Sequence, residues 1–177
     1  MNGMSNAFFK RAALAVATGF GLGYSPFASG TCGALLGIPL GLGLSRLDGH
    51  LWLQVAVAFA LTLLAVPVCD AAEKIFGKKD DGRIVADEYM LLPICFVGQG
   101  PVWDCLRAGG ETAFRAVVFI AFAFVVSRIV DILKPSPCRQ IQRVKGGLGV
   151  VLDDFFASIY SWIIIWGLFP SVMKWLA

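Results

Sequence analysis

The sequence predicts an all-α integral membrane protein, a compact bundle of about five transmembrane helices with an N-terminal segment that lies on the membrane or enters it partway. Three observations lead there. Apolar residues make up 58% of the 177 and the mean hydropathy is +0.75, above the roughly 45–50% apolar content of soluble domains. Four long apolar tracts hold the excess, residues 31–47, 51–69, 112–133 and 148–169, and three of them reach the ~20 residues that a helix needs to cross hydrocarbon. Nine of the fifteen Lys and Arg fall within residues 74–83 and 128–145, the clustering expected of loops on the cytoplasmic side. Residues 1–177 are read as one membrane-embedded domain.

Taken in order, residues 7–20 are apolar but carry Lys10 and Arg11, a charge order like that of a signal peptide. No small-residue cleavage site follows, so the segment is expected to be retained. Residues 21–33, GLGYSPFASGTCG, read as irregular backbone leading into a helix at about Thr31. Such a stretch is either a plain surface loop or an anion cradle. The tracts 31–47 and 51–69 form a hairpin whose outer turn holds Arg46, Asp48 and His50. A shorter tract, 84–97, is interrupted by Asp87 and Glu88 and is read as the third crossing. Residues 112–133 follow, and Pro135 and Pro137 then stop the helix. If the two basic segments share a side, the tracts between them cross twice, and three polar segments meet on the cytoplasmic face.

Those segments hold the residues capable of chemistry. Asp87, Glu88, Asp131, Asp153 and Asp154 lie within or against apolar helices, where a carboxylate is costly unless it is paired or binds a cation. Carboxylates with a single histidine in an outer turn suggest a hard divalent ion, and magnesium commonly bridges carboxylate and phosphate. The spacing of Arg128, Asp131 and Lys134 puts them on one helix face. A structural salt bridge closing the helix end is the alternative to a catalytic role. Arg139, Arg143 and Lys145 suit either a phosphomonoester or ordinary loop charge facing anionic headgroups.

Several chemistries are excluded. Arg does not follow any of the five cysteines at an offset of six, no D-x-D occurs, and His50 is the only histidine. Cysteine, aspartyl-phosphate and histidine-dependent phosphatase mechanisms are therefore ruled out. Metal-assisted attack of water remains, with Asp87, Glu88, Asp153 or Asp154 able to take the proton. The cysteines show no C-x-x-C spacing and read as small hydrophobes. A net charge of +3 does not point to a nucleic-acid partner.

Together the polar segments resemble phosphatidylglycerophosphatase A, the magnesium-dependent bacterial membrane lipid phosphatase. The glycine-rich block matches at Ser25-Pro26 and at Gly30-Thr31-Cys32-Gly33, and I-V-x-D-E at Ile84, Val85, Asp87 and Glu88. The last blocks match at Arg128, Asp131, Lys134, Pro135, Pro137 and Arg139, then at Gly146, Gly147, Gly149, Asp153 and Asp154. Ser29, Ser127 and Cys138 depart from the usual proline, phenylalanine and isoleucine, and Gln142 stands before Arg143 where the family tends to have aspartate. The resemblance implies hydrolysis of phosphatidylglycerophosphate to phosphatidylglycerol and phosphate in phospholipid biosynthesis, with magnesium as cofactor. It also implies a multi-pass protein of the bacterial inner membrane whose site faces the cytoplasm. The expected metal and catalytic set is Asp87, Glu88, Asp131, Asp153 and Asp154, with Lys134, Arg139, Arg143, Thr31 and Ser25 on the phosphate. A small ion-coupled transporter and an inactive paralogue that binds anionic lipid are the alternatives. Oligomeric state is left open.

Overall fold

Helix length divides the apolar tracts into two kinds. In a computed structural model the described residues are 2–136, 138–141 and 146–176, with the side chains of 2–8, Arg139, Trp175 and Leu176 outside that description. In chain order the elements are α1 (Asn2–Ala17), a 3-10 turn (Leu22–Tyr24), α2 (Ser29–Ala34), α3 (Gly37–Ser45) and α4 (Leu51–Phe76). Then come α5 (Ala86–Leu91), continued by a 3-10 segment (Leu92–Phe96), α6 (Val102–Ala108), α7 (Gly110–Leu133), α8 (Cys138–Ile141) and α9 (Gly147–Leu176).

Three helices, α4, α7 and α9, are long and apolar enough to cross a membrane. At 1.5 Å per residue they are roughly 36–45 Å long. They carry exposed apolar side chains such as Phe59, Leu63, Val125, Ile132 and Ile163, a surface suited to lipid. The expectation of five crossings divides at this point. Tract 31–47 becomes the short helices α2 and α3, joined through Leu35 and Leu36 in helical backbone angles, and the apolar run Ser29–Ser45 stays shorter than the three membrane-length helices. Tract 84–97 becomes α5 and its 3-10 continuation, which together rise only about 19 Å. Almost all of that segment is buried by protein, Leu91, Cys95 and Phe96 completely or nearly so.

Missing side chains let these short segments sit deep in the bundle. A Cβ at Gly33 would lie 2.4 Å from the Val85 side chain, and one at Gly41 would lie 2.4 Å from the Phe96 ring. Backbone of α2–α3 therefore lies directly on α5 and its continuation, as small residues permit between membrane helices. Helix α9 packs on both α4 and α7. Phe119 meets both Phe96 and Phe169 edge-on, at 5.2 Å between ring centroids, and closes the core between α7, α9 and the 3-10 segment.

The helix ends give the bundle its polarity. The Gly147 N–H at the start of α9 donates to Asp70 Oδ1 near the end of α4 at 3.4 Å, and Lys134 just past α7 pairs with Asp153 on α9. The last turns of α4 and α7 thus share one end with the first turns of α9. At the other end Gln54 Oε1 accepts from Gly98 N–H at 2.7 Å, and Trp162 Nε1 donates to the Val97 carbonyl at 2.8 Å. His50 precedes α4 at that far end, about 39 Å of helix from the last turn of α4, so it takes no part in the polar chemistry. All five cysteines are free, and Cys69, Cys95 and Cys138 are buried.

Gly147 is where α9 rests on α4, because a Cβ there would meet the Val66 carbonyl at 2.4 Å and the Asp70 nitrogen at 2.5 Å. Gly147→Ala is expected to cost about 1–3 kcal/mol, read as a lower unfolding temperature in detergent. Gly43→Ala, where an added Cβ meets nothing within 4 Å, should not destabilise the protein.

Candidate active site

Each acid pair is placed by a helix start or a buried helix face. Asp87 and Glu88 are in the first turn of α5, where the helix dipole favours negative charge. Val85 fixes that turn by donating its N–H to the Ala17 carbonyl at 2.8 Å. Asp153 and Asp154 are buried in the second turn of α9, 2% and 8% exposed. Asp131 comes from the last turn of α7. All five line an open cleft of roughly 430 Å³ at the polar end of the bundle, together with Lys134, Ser29, Gly30, Asp80 and Gly82. A smaller recess behind it is shared by Asp87, Glu88, Asp131 and Asp154 and adds Arg128, Ser127 and Ser158.

Two cations organise the acids. Arg128 bridges two helices, with Nη1 3.2 Å from Glu88 Oε2 and Nη2 3.0 Å from Asp131 Oδ2. Lys134 ends α7 in the left-handed region, φ 41°, its N–H bonded to the Val130 carbonyl. Its ammonium crosses to Asp153 Oδ2 rather than staying with Asp131, which the helical spacing had suggested.

Five carboxylates against two cations leave the cleft net negative if all ionise. Asp87 Oδ1 and Asp153 Oδ1 are buried without a hydrogen-bond partner, as are Arg128 Nε and Glu88 Oε2, the last in ionic contact with Arg128 only. Gly30 is pressed so closely on Glu88 that a Cβ would lie 2.1 Å from Oε1. Unused buried acceptors in an all-oxygen set fit a hard cation. Among the described residues, however, no group of three or more His, Cys, Asp or Glu is arranged to hold an ion by itself. The residues suit an ion taken by one or two carboxylates and completed by water and phosphate oxygens, not an all-protein cage.

The other expected phosphate ligands are placed differently. Ser25 Oγ donates to the Phe27 carbonyl at 2.9 Å in its own loop, and neither Ser25 nor Thr31 is among the residues lining the cleft or the recess. Arg139 is on α8, its side chain outside the description, and Arg143 lies outside the described residues. Ser29, Asp80 and Gly82 line the cleft without having been singled out. Ser29 Oγ donates to the Gly82 carbonyl at 2.6 Å, and Glu73 Oε1 accepts the Asp80 N–H at 2.7 Å. The doublet Asp80-Asp81 just before I-V-x-D-E was the available signal. Asp81 grips Arg83 in a forked pair, 2.7 Å to Nε and 2.9 Å to Nη2. Arg83 thereby lowers the Asp81 carboxyl to about 2. That pair is fully formed above the ordinary carboxylate range near pH 4 and would be lost only on acidification through about 2.

Removing Arg128 should strand two carboxylates. Arg128→Met is expected to destabilise by about 3 kcal/mol, and Arg128→Lys to recover only part because an ammonium lacks the fork. Thermal unfolding beside Arg115→Met, which breaks only an exposed pair with Glu111 worth at most ~0.5 kcal/mol, checks this.

Comparison with known proteins follows the same residues. The family model for phosphatidylglycerophosphatase A matches residues 15–169. Among curated relatives, a Bacteroides thetaiotaomicron protein provisionally named a phosphatidylinositol-3-phosphatase is 36% identical over 163 residues, 90% of this chain and 92% of the relative. Phosphatidylglycerophosphatase A of Escherichia coli is 34% identical over 147 residues, 82% of this chain and 77% of the relative. That of Haemophilus influenzae is 34% identical over 154 residues, 86% of each chain. No solved structure matches. The match takes in every acid of the cleft, both cations, the helices α4 and α7 and most of α9, and the chain belongs to the phosphatidylglycerophosphatase A family.

Proposed function

We propose that this bacterial membrane protein hydrolyses the terminal phosphate of phosphatidylglycerophosphate, giving phosphatidylglycerol and inorganic phosphate for phospholipid biosynthesis. The observation that carries the reading is a cleft at one end of a lipid-facing bundle holding buried acceptors, Asp87 Oδ1 and Asp153 Oδ1, with a buried donor, Arg128 Nε, in the adjoining recess, all of which the protein leaves unused. A lipid phosphomonoester fits it, since the acyl chains stay in the bilayer while the headgroup reaches the end of the helices.

In this reading Arg128 and Lys134 hold the phosphate oxygens, joined by Arg139 and Arg143 from the turn after α7. Asp87, Glu88, Asp131, Asp153 and Asp154 are the candidates for magnesium, which when bound would supply positive charge against the phosphate. Asp87 or Asp153, each with an unused oxygen, takes the proton of the attacking water. The water oxygen bonds to phosphorus, the bond from phosphorus to the glycerol oxygen breaks, and the glycerol oxygen is protonated as it leaves. We place the cleft on the cytoplasmic face of the inner membrane, because Lys74, Lys78, Arg83 and Lys134 gather at that end. The paired short segments, α2–α3 and α5 with its continuation, enter the bilayer beside the three long helices and complete the five-segment arrangement.

A second reading comes from the Bacteroides relative, whose provisional name is that of a phosphatidylinositol-3-phosphatase. The same chemistry would then act on an inositol phosphomonoester. The transporter reading has less support, because the acids gather at one end while the far end is closed by the contacts of Gln54 and Trp162.

The test is phosphate release by the purified protein in detergent from phosphatidylglycerophosphate and from phosphatidylinositol 3-phosphate, with and without magnesium. Release should require magnesium, favour the glycerophosphate lipid, and fall by on the order of 100-fold or more in Asp131→Asn. Release from neither lipid by a folded protein would sink the enzymatic reading and advance the inactive paralogue. Magnesium should also raise the unfolding temperature of the wild type, by linkage of binding to folding, and do so less in Asp131→Asn. An equal rise in both would remove Asp131 from the metal set.

A further inference from the structure

Of the motif residues matched in the glycine-rich block, Gly30 in α2 lines the cleft but Ser25 does not, so the stretch before α2 needs another explanation. Its backbone supplies one. Phe20 and Ala28 both take up left-handed conformations, φ 54° and 46°, which side chains other than glycine, asparagine and aspartate rarely adopt. Between them the chain turns outward its large apolar groups, Phe20 77% exposed, Leu22 40%, Tyr24 55% and Phe27 82%. This is not a loose loop. Phe20 N–H bonds to the Ala15 carbonyl at 2.7 Å and Gly23 N–H to the Thr18 carbonyl at 2.8 Å. Strain held in a well-bonded loop to expose aromatic rings points to an interaction outside the chain.

Its place in the fold selects the partner. The loop follows Ala17, whose carbonyl accepts the Val85 N–H two residues before Asp87, so it stands at the level of the acids, where the membrane-length helices end. Both its sides are fastened to the cleft rim. Gly23 is pressed on the Arg83 carbonyl, to which a Cβ would be 2.1 Å, and Ser29 Oγ is bonded to the Gly82 carbonyl. Aromatic and aliphatic side chains at that depth match the headgroup–acyl boundary of a bilayer.

We propose that residues 18–28 are a membrane-docking loop, inserting Phe20, Leu22, Tyr24 and Phe27 into the lipid leaflet beside the mouth of the cleft. A lipid leaving that leaflet then meets Ser29, Gly30 and Gly82 without its phosphate crossing bulk water. The consequence for turnover rests on the lipid-phosphatase reading; the docking itself does not.

The experiment places the photoreactive analogue p-benzoylphenylalanine at position 20 or 27 of the full chain in nanodiscs of anionic phospholipid. Position 59, on the lipid-facing side of α4, is the control. Lipid adducts by intact mass at 20 and 27 as at 59 are expected. Cross-links to a second copy of the chain, or adducts at 59 alone, would overturn the proposal. In the activity arm, Phe20→Ser/Phe27→Ser should lower kcat/KM on long-chain lipid in bilayers by about 10-fold while leaving a dihexanoyl analogue within about twofold. Equal losses on both substrates would make the loop structural and count against docking. If the wild type releases phosphate from neither substrate, the enzymatic reading fails while the cross-links still decide the loop.

Discussion

A carboxylate held against lipid costs several kcal/mol unless charge or hydrogen bonds compensate it, and here five converge on a single cleft. Most of what is distinctive in the structure answers that constraint. Arg128 is shared between Glu88 and Asp131, so one guanidinium ties α5 to α7. Lys134 leaves the helical path to reach Asp153, tying the end of α7 to α9. With both cations so used, acceptors remain unsatisfied in the interior. A folded protein retains such groups where a ligand completes them, and a divalent cation with a phosphate is the ligand pair proposed above.

Bringing acids from three separate helices together requires backbones to approach closely, and glycine makes that possible. Gly147 lets α9 begin against α4, Gly33 and Gly41 let α2–α3 lie on the buried α5 segment, and Gly30 makes room for the Glu88 carboxylate. The family motif therefore carries two kinds of information. Its glycines belong to packing, and its charged residues belong to the cleft those contacts shape.

The same end of the molecule carries two kinds of surface. Asp80 to Gly82 and Ser29 form a polar rim, while a few residues away Phe20 and Phe27 present apolar rings. A lipid with a phosphate head and hydrocarbon tails has that same division. The forked pair of Asp81 and Arg83, with the guanidinium 3.8 Å over the Phe76 ring, keeps the rim in place between them.

The sequence by itself determined the helical class, the three membrane-length helices, the gathering of charge at one end and the five acids of the cleft. Each is local or compositional: long apolar runs exclude a soluble fold, and a carboxylate in such a run announces a partner. It also conveyed the family, because motif residues and their spacing are read directly. Only the tertiary structure decided how Lys134 pairs, since helical spacing offered Asp131 and a left-handed turn at the helix end redirected the side chain. Only it reduced tracts 31–47 and 84–97 to short segments, because apolar content does not distinguish a residue facing lipid from one such as Leu91 or Phe96 enclosed by other helices. And only it kept Ser25 bonded within its own loop and set Ser29 and Asp80 in the cleft lining, because which side of a loop faces a site depends on contacts with residues more than fifty positions away.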